Sequence, residues 1–388
     1  MNTRQIIVIF CLFAVFFSAL SIASASDVVD NMTVSVANDE NTIDTANSNN
    51  EILTDPPNGT FADLEGDIET GNLPLEKNYT YNGVGQTINI SKDMTIDGQG
   101  HTIDADGQIA IFNITNASHV ILKNIIFANG HSDNGSAIKV NPGSSVEIIN
   151  CTFINNTATN FGGAIYIVAD GSDIISKITD SIFEENKAYN GGAIYSNSDK
   201  STIEGTTFTG NHADNDGAGV YIAGDYCNLA NSTFTDNVAG DDGPAVYWQG
   251  SNGIMYNLTC SGNRGESEID PRDGDRSSSK GGTICLTGSN VTVSKSSFAN
   301  SLAGYNGGAL FITGNNDNVI DCIFDNCTAR DENGGVLYII GNHTNVLNCN
   351  FENCNANLSG GVIYVNGSYA TINNASFTKK GANLDGAA

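Results

Sequence analysis

Phe153-Ile154-Asn155-Asn156 and Gly162-Gly163-Ala164-Ile165-Tyr166-Ile167, with Ala158 between them, form a pattern that recurs to the end of the chain. The phenylalanine position returns mostly after 25 to 27 residues, with one interval of 30 and one of 38, at Phe127, Phe153, Phe183, Phe208, Phe234, Cys260, Phe298, Phe324, Phe351 and Phe377. A fixed period in this range is typical of structural repeats that stack on one another.

Each repeat has the features of short β-strands. Apolar residues alternate without a 3.6-residue period, and Val, Ile, Thr, Tyr and Phe are frequent between clusters of Gly, Asn and Asp. Relative to Phe, the fifth residue before it is aliphatic and the second residue before it is mostly small. The third residue after it is mostly Asn, and the fifth residue after it is Ala. In a stack these positions become ladders with steps of about 4.8 Å. The pattern therefore predicts a parallel β-helix with two or three strands per coil, Phe and aliphatic ladders inside, and Asn in the turns.

The strand after the glycines predicts a surface as well as a core. Gly163, Ile165 and Ile167 share one face, which we expect to point inward, while Ala164 and Tyr166 share the other. An outward row of aromatic rings could stack on sugar faces and hydrogen-bond through its hydroxyls. The alternative is that neighbouring rings only pack on each other. The candidate ligand-binding residues are Tyr166, Tyr195, Tyr221, Tyr247, Phe311, Tyr338 and Tyr364.

The Phe-x-x-Asn and Gly-Gly-Ala-Ile-Tyr pattern resembles the repeats of chlamydial polymorphic outer-membrane proteins. It is also similar to the adhesin-like proteins of methanogenic archaea, and the likeness covers roughly residues 60–388. The resemblance implies an all-β, pectate-lyase-like, right-handed parallel β-helix of about ten coils. It also implies a short N-terminal cap helix, for which Phe61-Ala62-Asp63-Leu64 and Ile68 supply an apolar stripe. Such folds host enzymes, adhesins and structural rods, so the likeness is specific for architecture.

Composition narrows the class of partner. The chain has 388 residues, with 43 acidic and 16 basic side chains and a formal charge of −27. This charge repels nucleic acid and anionic lipid, so neither is an expected partner. A hydrophobic content of 40% indicates a folded body, and Asn-x-Ser/Thr sequons predict a glycoprotein if the chain is exported.

The chain divides into segments by composition. The first carries Arg4, a long apolar run and Ala23-Ser24-Ala25, which predict a secretory signal peptide, with an uncleaved anchor as the alternative. The second is polar and has no period, which predicts disorder. We expect the β-helix to be truncated at its C-terminus. The predicted segments are 1–25 signal peptide, 26–57 disordered linker, 58–143 cap and irregular first coils, and 144–388 regular coils with an insertion at 264–280.

Four of the nine cysteines fall in register with the repeat. Cys322 precedes Cys349 by 27 residues, and Cys327 precedes Cys354 by the same interval. We expect buried thiols that act as small hydrophobic residues. A disulfide between neighbouring coils is an alternative. However, in-register Cβ atoms about 4.8 Å apart exceed the usual Cβ separation of about 3.8 Å in a disulfide. A metal site is the least favoured reading, because no His lies near these positions.

Catalytic groups are sparse. Asp241-Asp242 is the one Asp-Asp dipeptide and would suit a polysaccharide hydrolase, but its position in other repeats varies freely, which favours a solvated turn. We therefore predict no catalytic residue and no cofactor. The charged insertion holds the candidate ligands of a weak Ca²⁺ site, without EF-hand spacing: Glu266, Glu268, Asp270, Asp273 and Asp275.

Together these observations predict a secreted, acidic, non-catalytic β-helix protein at the cell surface. By resemblance, its partners are other cells, cell-surface glycans or envelope polymers. Two alternatives remain: a β-helix polysaccharide lyase or hydrolase, and a purely structural surface spacer. A groove that gathers carboxylates with a Lys or Arg would favour the enzyme, whereas evenly repeated coils favour the rod.

Overall fold

The structure is a computed structural model that describes residues 58–71, 73–117, 119–168, 175–265, 280–330, 334–356, 361–378 and 381–382. The predicted signal peptide, the predicted linker and most of the insertion at 264–280 lie outside these residues. Within the described ranges no helix is long and apolar enough to cross a membrane. Nearly every ordered element is a short parallel strand, and the strands of successive coils stack into four sheets.

The first sheet carries the phenylalanine column and is called the Phe sheet. Its strands lie in register, so that Phe153 faces Phe183 and Phe183 faces Phe208. Its 13 strands are Gly59–Thr60, Tyr79–Thr80, Thr102–Asp104, Ile126–Ala128, Thr152–Ile154, Ile182–Glu184, Thr207–Thr209, Thr233–Thr235, Thr259–Ser261, Ser297–Ala299, Ile323–Asp325, Asn350–Glu352 and Ser376–Thr378.

The second sheet follows the glycines and is called the Tyr sheet. Each of its strands has three residues, and only the first and third point into the core in most coils. Its 11 strands are Ile88–Ile90, Phe112–Ile114, Ile138–Val140, Ile165–Ile167, Ile194–Ser196, Val220–Ile222, Val246–Trp248, Ile284–Leu286, Leu310–Ile312, Leu337–Ile339 and Ile363–Val365.

The third sheet holds the aliphatic column five residues before Phe and is called the aliphatic sheet. Ile148, Ile178 and Ile203 stack in register and are buried, as predicted. Its 11 strands are Met94–Asp97, Val120–Lys123, Val146–Ile149, Lys177–Thr179, Thr202–Glu204, Asn228–Ala230, Ile254–Tyr256, Thr292–Ser294, Asn318–Ile320, Asn345–Leu347 and Thr371–Asn373.

A fourth sheet runs through the alanine column, to which the sequence analysis assigned no strand. Most of its strands have two residues, because the chain must bend again before the glycines. Its 10 strands are His131–Asn134, Thr157–Phe161, Lys187–Ala188, His212–Ala213, Val238–Ala239, Arg264–Gly265, Leu302–Ala303, Thr328–Ala329, Asn355–Ala356 and Gly381–Ala382. A coil therefore has four strands, whereas the sequence predicted two or three.

The predicted cap helix is present and spans Phe61–Thr70. Thr60 and Asp63 form a reciprocal capping box at its start, in which each side chain accepts from the other residue's backbone N–H. Gly71, in the left-handed conformation, ends it. Phe61, Leu64 and Ile68 are buried in the same hydrophobic core as the coils, so the helix covers the first rung.

Each Phe strand is bounded by residues in the left-handed conformation. Asn150 precedes the strand Thr152–Ile154 with φ 50°, and Asn155 follows its phenylalanine with φ 52°. Equivalent positions in other coils hold mainly Asn, Asp or Gly, the residues that tolerate positive φ best. The exposed amides also form chains, since Asn150 Nδ2 donates to Asn124 Oδ1 at 2.8 Å. This turn requirement explains much of the asparagine content.

The asparagine three residues after Phe lies inside the corner, as predicted. Asn156 N donates to Asn186 Oδ1 at 3.1 Å, and Asn186 N donates to Asn211 Oδ1 at 3.0 Å. The same amides donate to the core carbonyls, as from Asn186 Nδ2 to Phe153 O at 3.0 Å. These side chains are fully buried and satisfy backbone groups that no strand pairs.

The corner between the Tyr sheet and the aliphatic sheet depends on a glycine column that the sequence analysis missed. A Cβ at Gly288 would lie 1.8 Å from Gly250 O, and a Cβ at Gly314 would lie 1.8 Å from Gly288 O. The backbone carbonyl oxygen of the glycine in one rung therefore occupies the space that a Cβ atom would need at the glycine of the next rung. The signal was present, because these glycines recur with the period of the Phe column.

Replacing Phe208 by Ala should destabilise the protein by about 3–5 kcal/mol, because it opens a cavity within a stack of rings. The Phe208 ring is fully buried, with centroids 5.0 Å from Phe183 and 4.6 Å from Phe234. Urea unfolding measures the change. Thr209→Ala, on the outer face of the same strand, is the control and should change the free energy by less than about 0.5 kcal/mol. Equal effects would show that Phe208 does not support the core.

Candidate functional site

The middle residue of each Tyr-sheet strand points away from the core. Tyr166, Tyr195 and Tyr221 are half-buried between inward neighbours, which confirms the predicted outward direction. We had expected Ala164 to share this outward face, but its side chain is fully buried. The reason is that the strand begins only at Ile165. The outward column is Asn89, Asn113, Lys139, Tyr166, Tyr195, Tyr221, Tyr247, Cys285, Phe311, Tyr338 and Tyr364.

The aromatic ladder, defined as the seven candidate residues of this column, is stacked on itself. The ring centroids of Tyr195 and Tyr221 lie 4.8 Å apart, and those of Tyr221 and Tyr247 lie 4.7 Å apart, with interplanar angles of 21° and 19°. Tyr338 and Tyr364 stack in the same way at 4.8 Å. Ring faces are therefore covered mainly by neighbouring rings, and the ring edges and hydroxyls form the outer row. Ligand binding by this row stays a prediction.

Two residues that the sequence analysis left out define where the ladder begins and breaks. The Phe161 ring, just before the glycines, lies 4.8 Å from the Tyr195 ring and 5.9 Å from the Tyr166 ring. Cys285 takes the rung between Tyr247 and Phe311 and is buried. The signal for Cys285 was Gly281-Gly282-Thr283-Ile284-Cys285, a copy of the glycine pattern directly after the insertion. The ladder thus has two segments.

A second ladder of polar side chains runs beside the rings, at the residue just before the glycines. Asp216 N donates to Asn190 Oδ1 at 3.1 Å, and Asp242 N donates to Asp216 Oδ1 at 3.0 Å. Lys280 N in turn donates to Asp242 Oδ1 at 2.7 Å. We call this set, Asn190, Asp216, Asp242 and Lys280, the turn ladder. Asp216 and Asp242 thus accept a backbone N–H hydrogen bond at the position where Asn190 accepts one in an earlier rung.

Burial raises the pKa of both aspartates of the turn ladder. The Asp216 carboxyl reaches a pKa of about 6, with the nearby Asp241 adding to the effect. For Asp242, burial and the charge of Asp241 raise the pKa to about 8, although Lys280 opposes this. The Lys280 ammonium lies 3.9 Å from Asp242 Oδ2. Two carboxyl groups with raised pKa values therefore lie next to the aromatic ladder, and the Asp242 carboxyl favours its neutral form at pH 7.

The phenols of Tyr166, Tyr195, Tyr221 and Tyr247 are neutral hydrogen-bonding groups. Burial raises the pKa of Tyr166 and of Tyr195, and for Tyr221 and Tyr247 the nearby acidic groups add to burial. The Tyr221 hydroxyl donates to Gln249 Oε1 at 3.3 Å. The row can therefore donate and accept hydrogen bonds at neutral pH without carrying charge.

The Asp241-Asp242 dipeptide is not the solvated turn that the sequence predicted. The Asp242 side chain is only 13% exposed, and Asp241 Oδ1 is buried without a hydrogen-bond partner. The reason is the register, which places Asp242 over Asp216 in the turn ladder. In sequence this position is variable, so its burial could not be inferred from one repeat.

The candidate Ca²⁺ ligands Glu266, Glu268, Asp270, Asp273 and Asp275 lie outside the described residues. Among the residues that the structure describes, no group of three or more His, Cys, Asp or Glu side chains is arranged to hold a metal ion. The Ca²⁺ site stays a prediction.

Comparisons with known proteins agree with this architecture. Residues 163–281 match the family model of the right handed beta helix region, and residues 150–168 match the Chlamydia polymorphic membrane protein repeat. The fold is a right-handed parallel β-helix. The shorter match spans the corner asparagines, the glycine pair and Tyr166. No curated protein matches the sequence.

Two solved structures are similar over most of the chain. A PL6 family polysaccharide lyase from Pseudopedobacter saltans has 12% sequence identity and a TM-score of 0.39, over 81% of this chain and 77% of that chain. ORF18 of Geobacillus virus E2 has 14% identity and a TM-score of 0.36, over 78% of this chain and 53% of that chain.

The raised pKa values predict a pH-dependent stability. Between the ordinary aspartate pKa of 3.8 and about pH 8, the folded state keeps a proton on Asp242 that the unfolded state has lost, so stability falls as pH rises. Asp242→Asn keeps the acceptor for Lys280 N and removes this titration. Its stability relative to the unmodified protein should increase across that window, by up to about 1.4 kcal/mol per pH unit.

Urea unfolding at pH 5 and pH 9 measures this difference. Asp214→Asn is the matched control, because it removes one negative charge from a side chain that is 49% exposed. A relative stability of the Asp242 variant that does not change with pH would contradict a protonated Asp242 in the folded protein.

Proposed function

We propose that this protein is a non-catalytic, cell-surface β-helix that binds glycans or envelope polymers along the aromatic ladder. The match of residues 150–168 to the Chlamydia polymorphic membrane protein repeat supports a surface location. The observation that carries the binding role is the outward row of stacked rings, in which the tyrosines are half-buried and Phe311 is buried. One hydroxyl or ring edge per rung repeats at about 4.8 Å along the sheet, as suits an extended polymer with repeated polar groups.

The non-catalytic role is supported by the bonds of the two buried carboxyl groups. Asp216 Oδ1 accepts from Asp242 N, and Asp242 Oδ1 accepts from Lys280 N. Asn190 accepts the same kind of bond from Asp216 N. The carboxyl groups therefore hold the turn together in the way an amide does, and one oxygen of each is committed to the backbone.

Replacing Tyr166, Tyr195, Tyr221 and Tyr247 together by Ser should abolish binding to a glycan array while the protein stays folded. Each ring makes ladder contacts worth roughly 0.2–1 kcal/mol and is only half-buried, so the loss of stability should be modest. Binding is measured on the array and on whole cells, and folding by far-ultraviolet circular dichroism.

The matched control changes four outward residues of the Phe sheet, Thr152, Thr207, Thr233 and Thr259, to Ser. It alters as many rungs without touching a ring, so binding should be retained. A folded tyrosine variant that binds as the unmodified protein does would exclude the segment from Tyr166 to Tyr247 as the binding surface. Absence of binding by the unmodified protein would favour a structural spacer.

A polysaccharide lyase or hydrolase is the second candidate, because the structure gathers two carboxyl groups and a lysine beside the rings. Asp216 and Asp242 act electrostatically on Tyr247, and Lys280 lies next to Asp242. Release of reducing ends or unsaturated sugars from polysaccharides, lost in Asp242→Asn, would establish this activity. We expect no release from either protein. Activity that survives in the variant would point to a contaminant.

A further inference from the structure

Two pairs of cysteines lie in register on two successive rungs. One pair lies before, and the other after, two paired strands of the Phe sheet. Cys322 and Cys349 directly precede the strands Ile323–Asp325 and Asn350–Glu352, which pair in register. Cys327 and Cys354 directly precede Thr328–Ala329 and Asn355–Ala356, which also pair in register. All four side chains are at most 1% exposed. The remaining described cysteines, Cys151, Cys227, Cys260 and Cys285, have no cysteine on the next rung.

Within each pair the two thiols occupy in-register positions and influence each other's pKa. Cys349 raises the pKa of Cys322, and burial together with Cys354 raises the pKa of Cys327. All four are reduced. Each sulfur also donates to a carbonyl of its own rung, as from Cys349 Sγ to Leu347 O at 3.3 Å. Each pair therefore places two thiols, each with its own proton, side by side in a buried environment.

The spacing of the rungs argues against a disulfide. In-register positions on parallel strands lie about 4.8 Å apart, whereas a disulfide requires a Cβ separation of about 3.5–4.5 Å. A metal–thiolate bond is about 2.3 Å long, so two such bonds placed end to end span about 4.6 Å. The length of a linear sulfur–metal–sulfur unit thus matches the spacing of in-register positions on neighbouring rungs.

We propose that each stacked pair is a two-coordinate site for a soft monovalent cation of the Cu(I) class. The cation replaces one of the two thiol protons: the metal–sulfur bond forms as one S–H bond breaks, and that proton leaves to solvent. The second thiol keeps its proton and acts as the weaker donor. One positive charge enters as another leaves, so the buried site stays neutral and no electron is transferred.

The composition of the sites selects this class of ion. Hard cations such as Ca²⁺ need six or more oxygen ligands. Zn²⁺ needs four ligands, and in the described part of the chain no third His, Cys, Asp or Glu completes either pair. Thiolate ligands favour soft ions such as Cu(I). The lack of a nearby His, which argues against a zinc site, therefore leaves a linear sulfur site unaffected.

The test is anaerobic titration of the full chain with Cu(I), delivered as its acetonitrile complex against a chromophoric competing chelator. The unmodified protein should take two ions. Cys322→Ser with Cys349→Ser should take one, Cys327→Ser with Cys354→Ser should take one, and the fourfold variant none. Serine suits these positions, because Ser296 and Ser301 occupy the same columns one rung before Cys322 and Cys327 and are buried.

Cys151→Ser with Cys227→Ser is the matched control and should keep both ions. Binding should also raise the Tm of the unmodified protein and not that of the fourfold variant. X-ray absorption should show two sulfur neighbours per copper. The proposal is overturned if the fourfold variant takes as many ions as the unmodified protein. It is also overturned if all Cu(I) stays with the chelator, or if the metal-free protein contains disulfides.

Discussion

The fold depends on how each corner of the coil satisfies its backbone. A parallel strand pair hydrogen-bonds the strand residues, but the corners between sheets would leave buried N–H groups without partners. The column of Asn156, Asn186 and Asn211 supplies them, because each side-chain oxygen accepts from the backbone N–H of the neighbouring rung. Since the acceptor belongs to one rung and the donor to another, every corner bond also fixes the register between coils.

That register places like residues over like residues on both faces of each sheet. Inside, it stacks Phe153, Phe183 and Phe208 into one column. Outside, it stacks the tyrosines, whose spacing is therefore a consequence of the core and not of any ligand. The surface inherits a one-rung repeat, and any polymer bound there meets the same group at each step. Where the column changes, as at Cys285, the surface changes at one rung only.

The same ladder rule accounts for the unusual carboxyl groups. Asp216 and Asp242 fill the position that Asn190 fills in an earlier rung, so their oxygens accept backbone hydrogen bonds while their carboxyl groups are buried. Asparagine would make these bonds without titrating. The aspartates therefore make the stability of the turn beside the aromatic ladder depend on pH. They also place carboxyl groups with raised pKa values next to a lysine, a combination that occurs in enzyme active sites.

The repeat also generates sequence features that resemble signals of other kinds. A left-handed Asn, a small buried residue and a strand-initiating Thr occur in that order, as in Asn150-Cys151-Thr152 and Asn231-Ser232-Thr233. Such Asn-x-Thr sequons follow from the turn geometry alone. Their number in this chain is therefore no measure of glycosylation.

The sequence by itself determined the coil, the inward Phe column, the outward tyrosines and the cap helix. These depend on local periodicity and on columns that repeat often enough to be recognised in one chain. Only the tertiary structure decided what occupies variable positions, because burial there depends on the adjacent rung. It brought Asp242 over Asp216, joined Phe161 to the ladder, buried Ala164 and added a fourth strand at the alanines. Contacts between rungs join residues about one repeat apart in the sequence. The chemistry of each contact depends on which two side chains the register places next to each other.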